Sequence, residues 1–272
     1  MISPLSPLVP YSPKIQDEAA GNPDPSDLTV PPVVWYDGAA TDYKTGAAQD
    51  YFTLNGSDVS QWNDRSGFDN HATQITASQQ PAKVTGGIGL DGVDECMDMD
   101  GTLAKLATNT QGSIFVVFNI TDATPSTTNY ILSWGDTDEV TFLAPSIPAT
   151  GKTRLNYRRS SSWRIAKQST DAVFSDGVDT YCGWIQDAVD PTIRKDGANL
   201  ALGTFATEAG KTEWFNATAL FDNGRIGCLN EANNGDELFF KGVIKEIVAF
   251  DYAISGDQLT ALETYLAAKW SI

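Results

Sequence analysis

The stretch Phe239–Trp270, FFKGVIKEIVAFDYAISGDQLTALETYLAAKW, constrains the fold of this chain more than any other. Val243, Lys245, Ile247 and Ala249 alternate with Ile244, Glu246, Val248 and Phe250, a period of two with apolar residues on both faces. That pattern predicts a strand covered on both sides rather than an edge strand. Asp251 and Tyr252 turn the chain, and Ser255 with Gln258 three residues on predicts a capping box for a helix over 256–269. Leu259, Leu262, Leu266 and Trp270 recur at helical spacing as one apolar stripe. Burying each contributes roughly 1.5–3 kcal/mol before the entropy of ordering is subtracted. A strand buried on both faces needs further sheet layers or helices to cover it, and the rest of the chain must supply them.

The body of the sequence reads as short strands separated by turns. VVWYD (33–37) is a strand with Trp35 as its core anchor. SIFVVFNI (113–120) is apolar throughout and predicts a fully buried central strand. Strands are also predicted over 130–134, 140–143, 180–186 and 192–195, with Lys195-Asp196-Gly197 as a tight hairpin turn. GRIGCL (224–229) leads into the closing strand, and no internal repeat is present.

Several of these segments carry a family pattern. VSQWNDRSGFDNHATQ (59–74) contains Trp62, Asp64, Ser66, Gly67, Asn70 and Ala72 in a W-x-D-x-S-G-x-x-N-x-A arrangement. QPAKVTGGIGLDGVDECMDMD (80–100) follows, with Leu90 and Cys96 where the pattern more often has aromatics. IRKDGANLALGT has Ile193 and Arg194 in place of the usual aromatic before a D-G hairpin, and KGVIKEIVAFDYAISGDQ ends the series. Together and in this order they resemble concanavalin A-like, laminin-G-like jelly-roll domains of the type found in bacteriophage structural proteins and bacterial surface proteins. The resemblance implies an all-β, antiparallel two-sheet jelly-roll sandwich over residues 33–272, closed by a short C-terminal helix. Such domains often hold calcium on a loop-end rim, which makes Asp136, Asp138, Glu139 and Asn230–Glu237 the candidate oxygen ligands, although neither stretch has a diagnostic spacing. Some relatives of the fold are glycoside hydrolases with closely spaced carboxylates on one strand. The nearest acid clusters here, DECMDMD (94–100) and DTDEV (136–140), lack that spacing, so no catalytic residue and no enzyme activity is expected.

Charge and rare residues narrow the partners. A net charge of −17 without a basic cluster argues against nucleic acid and against docking on anionic lipid. No run is long and apolar enough to span a membrane. The start, MISPLSPLVPYSPK, lacks the basic and continuous apolar regions of a secretory signal, which predicts synthesis in a cytoplasm without conventional export. Cys96, Cys182 and Cys228 are odd in number and show no metal-ligand spacing, so they are expected as small buried apolar residues, with no metal site assigned. His71 falls inside the turn motif and is expected at a turn or rim. Trp163 and Trp214, both in polar surroundings, are candidates for stacking on sugars, against the alternative of core packing.

Residues 1–32 stand apart. Pro4, Pro7, Pro10, Pro13, Pro23, Pro25, Pro31 and Pro32 predict extended chain, and residues 16–27 read as polar linker. Leu5, Leu8, Val9, Tyr11 and Ile15 give this arm apolar side chains that it cannot bury by itself, which marks them as a partner-binding set. The leading expectation is therefore a non-enzymatic virion decoration or fibre protein of a tailed phage. Its arm would dock on a capsid or tail protein, or on neighbouring copies, while the sandwich displays a lectin-like surface to glycans. The alternative is a carbohydrate-binding module of a bacterial surface protein, and a glycosidase or lyase comes third. No cofactor is expected, and plain acidic loops are favoured over a calcium site at residues 136–139 or 230–237.

Overall fold

In the computed structural model, which describes residues 23–107, 109–160, 162–217, 221–232 and 234–272, the strand Lys241–Phe250 is central to the first of two layers. Val34–Asp37 and Gly87–Asp91 share one of its edges. Gly112–Ile120 lies antiparallel along the other, followed by Asp179–Gln186 and Thr192–Lys195. The second layer runs Asp58–Trp62, Ala72–Thr73, Met97–Asp98, Asn223–Ile226, Leu132–Gly135, Phe142–Ile147, Arg154–Arg159, Ser162–Ser169 and Leu202–Thr204. Ala82–Val84 pairs with Gly87–Asp91 and touches Asp58, so the two layers are one ladder folded over on itself. Trp62, Val116, Phe118, Trp134, Leu143, Tyr157, Trp184 and Ile247 fill the space between them. This is the antiparallel β-sandwich expected from the sequence. The arm residues Leu5, Leu8, Val9, Tyr11 and Ile15 lie outside the described residues. Residues 24–30, read from sequence as linker, pack on the C-terminal helix: Leu28 joins its apolar cluster, and the Val30 amide donates to Gln258 Oε1 at 3.0 Å.

The closing strand departs from simple alternation. A β-bulge between Ile244 and Glu246 places an extra residue in the ladder, so Ile244 joins Ile247 and Ala249 on the core side. Glu246, Val248 and Phe250 then face outward, under the helix Gly256–Trp270. Val248 and Phe250 pack there with Trp35, Phe115, Val117, Tyr181, Leu262, Tyr265 and Leu266. The helix falls where its apolar period put it, but the predicted capping box does not form. Ser255 makes no side-chain cap bond. Gln258 is instead held by tertiary donors, the Val30 amide and the Tyr252 hydroxyl at 3.3 Å.

The Gly256–Trp270 helix thus covers the outer face of the first layer. No helix among the described residues covers the outer face of the second. Its floor includes two strands absent from the sequence expectations, Arg154–Arg159 and Ser162–Ser169.

Candidate functional site

The sequence motif around Trp62 builds architecture. Asp64 accepts from the Trp35 and Ser66 amides, both at 2.9 Å, from Ser66 Oγ at 2.6 Å and from the Asn70 amide at 3.1 Å. Gly67 takes φ +86°, which its missing Cβ permits. Trp62 is fully buried and donates to the Asp37 carbonyl at 3.0 Å. His71 sits in this turn, its Nδ1 accepting from the Asp64 amide at 3.1 Å.

Beside the motif lies a buried ionic knot beneath the C-terminal helix. Glu246, fully buried, accepts at Oε1 from Trp35 Nε1 (2.8 Å) and Tyr265 Oη (2.7 Å). Its Oε2 accepts from Lys269 Nζ (2.9 Å) and Trp270 Nε1 (2.6 Å). Lys269 also reaches Asp37 at 2.6 Å, and Asp37 accepts from Arg65 Nη1 at 2.5 Å. Arg65 continues to Asp42 at 2.6 Å and stacks on the Trp35 ring at 3.9 Å. Burial pushes the Glu246 carboxyl up, opposed by the Lys269 ammonium. Burial and the charge of Glu246 push the Tyr265 phenol far up, so it stays a donor. Paired ions and satisfied lone pairs make this a pin for the helix, closed to any ligand.

The outer face of the second layer is built differently. Along Arg154–Arg159, Leu155 and Tyr157 enter the core, so Arg154, Asn156 and Arg158 point outward. The two arginine Cα atoms are about 13 Å apart at ordinary strand rise. Across the ladder Arg158 pairs with Phe142 and Trp163, and Arg154 with Ser146 and Gln168. Four rings cross this face edge to face: Tyr130–Phe142 at 5.9 Å, Phe142–Trp163 at 6.1 Å and Trp163–Phe205 at 5.0 Å. Arg154 lies over the Phe205 ring at 4.3 Å, and Arg158 over Trp163 at 5.4 Å. Guanidinium-on-ring stacking holds a long side chain in place while leaving its N–H fork free.

One wall of the face is the hairpin Leu229–Asn230/Asp236–Glu237. Leu229 and Leu238 pack on Tyr130 and Phe142, and the Tyr130 amide donates to the Leu238 carbonyl at 3.2 Å. This wall brings in Glu231. Burial pushes its carboxyl up to about 7, with the Arg158 charge opposing and Glu237 reinforcing. Burial also raises the Tyr130 phenol, reinforced by Glu231 and opposed by Arg154 and Arg158. The same burial lowers Arg154 from the usual guanidinium value.

The balance of donors and acceptors on this face is unfinished. Arg65, Arg159, Arg164, Arg194 and Arg225 each form an ion pair. Arg154 and Arg158 form none among the described residues, and the only hydrogen bond from the Arg154 guanidinium there runs to Gln168 Oε1 at 3.1 Å. Arg158 Nε and Glu231 Oε2 are both buried without a hydrogen-bond partner among the described residues. Unanswered buried polar atoms are uncommon in native proteins, and since Trp184 Nε1 and Trp214 Nε1 in the core share that state, the pair here counts only together with the two arginines that lack ion pairs among the described residues. Two guanidiniums, a ring ladder and a carboxyl near neutrality are equipped to hold an anionic, partly apolar ligand such as an acidic sugar.

Of the two tryptophans read from sequence as stacking candidates, Trp163 lies on this face, half-buried. Trp214 is in the core, fully buried; a Cβ on Gly112 would come within 2.2 Å of its Nε1. Among the predicted calcium ligands, Asp136 Oδ1 accepts from the Asp138 amide at 2.8 Å, and Asp236 is engaged by Arg225 and Asn230. The arginines of the face were not singled out from sequence. Their signal was the alternation of R-L-N-Y-R, polar outside and apolar inside.

Comparison with protein-family models gives no match, and neither does comparison with curated proteins by sequence. Solved structures do match in shape. The IT-sialidase CBM40 of Ruminococcus gnavus, bound to alpha2,3 sialyllactose, superposes with a TM-score of 0.53 at 16% identity, over 65% of this chain and 95% of that one. A second structure of the Ruminococcus gnavus IT-sialidase CBM40 gives 0.53 at 16% identity, over 65% of this chain and 96% of that one. A Trypanosoma rangeli sialidase gives 0.55 at 14% identity, over 98% of this chain and 37% of that one. At such identities the likeness is one of fold.

Proposed function

We propose that this protein is a non-catalytic carbohydrate-binding sandwich that holds an acidic glycan against the half-buried Arg154 and Arg158 on the outer side of its second layer. The observation that carries the reading is the pair Arg154 and Arg158, stacked on Phe205 and Trp163 and free of ion pairs among the described residues, in a chain of net charge −17. A carboxylate on the sugar takes one guanidinium fork, and the half-buried Trp163 and Phe205, backed by the buried Phe142 and Tyr130, take the apolar side of a pyranose. The fold shared with a sialidase CBM40 bound to sialyllactose supports a terminal sialic acid as the first ligand to try. The virion reading leaned on Leu5, Leu8, Val9, Tyr11 and Ile15, which lie outside the described residues, and the comparisons favour the carbohydrate-binding alternative over it. A virion location and attachment through that arm stay a separate proposal, tested by whether removal of residues 1–22 abolishes incorporation into particles.

The test is calorimetric titration with alpha2,3 sialyllactose and with lactose. Binding of the sialylated sugar alone is expected, with affinity falling at least about tenfold, or 1.4 kcal/mol, in Arg154→Ala or Arg158→Ala. Equal binding of both sugars, or unchanged affinity in both variants, would overturn the reading.

A further inference from the structure

Two buried thiols and a carboxylate converge behind the hairpin wall, outside the arginine face. Cys96 precedes the strand Met97–Asp98, Cys228 follows Asn223–Ile226, and Asp236 belongs to the hairpin. Gly227, at φ +89°, turns the chain so that Cys228 joins the group. Both cysteines are fully buried, and the two Sγ atoms and an Asp236 oxygen lie within 4.8 Å of one another. Cys96 Sγ is 3.4 Å from Asp236 Oδ2. From sequence these cysteines were expected as isolated apolar fillers, because their spacing of 132 positions, from 96 to 228, hides the fact that neighbouring strands bring them together.

We propose that Cys96, Cys228 and Asp236 form a binding site for a thiophilic divalent cation, zinc in the first instance. Two soft sulfurs and one oxygen are a donor set suited to zinc and poorly suited to calcium or magnesium. Asp236 is already oriented. Its Oδ1 accepts from Arg225 Nε at 2.9 Å and Asn230 Nδ2 at 2.8 Å, which leaves Oδ2 directed at the thiols. Gln74 Nε2 donates to the Cys96 carbonyl at 3.0 Å and lies 3.9 Å from its sulfur, and Ser133 Oγ fixes the Cys228 carbonyl at 2.8 Å. The bonds to Asp236 orient a ligating group directly, and those to the two carbonyls fix the backbone that carries the sulfurs.

Charge also comes close to balance. Once the two thiols release their protons to solvent, two thiolates and a carboxylate carry three negative charges and a divalent cation leaves one, which the adjacent Arg225 guanidinium, shared with Asp98 at 2.9 Å and Asp100 at 3.1 Å, offsets in part. Bonds of about 2.0–2.3 Å place tetrahedral ligands about 3.5 Å apart, so side-chain movements of roughly 1 Å close the set. The Asp236 side chain retains 22% exposure, which provides the entry path and a fourth position for water.

The test uses the full chain, reduced and stripped with a chelator, titrated with cobalt(II) and then with zinc. One cobalt per chain is expected, with thiolate-to-metal charge-transfer absorption in the near ultraviolet that zinc abolishes. Cys96→Ser and Cys228→Ser should each remove the band, Asp236→Asn should weaken binding at least about tenfold, and Cys182→Ser should change nothing. X-ray absorption of the zinc-loaded wild-type protein should find two sulfur neighbours at about 2.3 Å, a measurement that needs no variant to fold. Failure of the reduced protein to take up cobalt, uptake without sulfur neighbours, or full affinity in Asp236→Asn would overturn the proposal. None of these outcomes depends on whether the arginine face binds a glycan.

Discussion

Under the C-terminal helix, Glu246 accepts four hydrogen bonds from Trp35, Tyr265, Lys269 and Trp270, and Asp37 joins Lys269 to Arg65. On the outer face of the other layer, Arg158 Nε and Glu231 Oε2 are also buried and have no hydrogen-bond partner among the described residues. The two regions use the same residue types and differ in closure. A closed network converts the cost of burying charge into a defined position for the helix. An open one leaves that cost standing, and the proposed glycan would meet it. Buried charge is therefore a guide to function only after its partners have been accounted for.

The sharpest way to break this comparison is to cut the closed network. Lys269→Met leaves Glu246 and Asp37 without their shared cation and is expected to destabilise the protein by about 3–5 kcal/mol in urea unfolding. The protein that remains folded should bind glycan as before. A loss below about 1 kcal/mol would mean the knot does not pin the helix. The corresponding cut on the open face should go the other way. Arg158→Met removes a buried donor that nothing answers, so stability should hold or rise by up to about 1 kcal/mol while acidic-glycan affinity falls. Marked destabilisation would show that Arg158 has a structural partner.

The smallest effect is in pH. The folded protein holds the Glu231 proton up to about 7, against an ordinary value of 4.5. Because this carboxyl is raised on folding, its proton favours the folded state most below the ordinary value, and that contribution is lost as pH rises through about 7. Above that point the new carboxylate also competes for Arg158. Acidic-glycan affinity should fall a few-fold across this window, and Glu231→Gln should flatten both the affinity and the stability profiles. A profile unchanged by that substitution would remove Glu231 from the site.

Much of the scaffold was legible in the residues. The period of two in Lys241–Phe250, the helical stripe of Leu262 and Leu266 and the apolar run Gly112–Ile120 each depend on local repetition, which sequence displays directly. The W-x-D-x-S-G run was legible as a turn because Asp64, Ser66 and Gly67 act over a few residues. The Lys195-Asp196-Gly197 turn was legible for the same reason, with Asp196 and Gly197 at φ +45° and +82°. Where local rules met tertiary partners they failed. Gln258 left the cap for Val30 and Tyr252, and one bulge after Ile244 turned Ile244 into the core, off the face it would share with Glu246, Val248 and Phe250 under simple alternation.

The candidate site was hardly legible at all. Trp163 could be singled out but not told from Trp214, since burial is a property of the folded layers. Arg154 and Arg158 resemble any polar residues of a half-exposed strand; their meaning lies in the ion pairs they lack, which depend on where distant carboxylates fall. Sequence by itself determined the strongly periodic strands such as Gly112–Ile120 and Lys241–Phe250, the D-G turn and the closing helix, because hydrophobic period and turn chemistry are short-range, while Arg154–Arg159 and Ser162–Ser169 escaped it. Only the tertiary structure decided which charges would be paired and which left open, because electrostatic closure is settled between residues as far apart in the chain as Asp37 and Lys269, or Arg158 and Glu231.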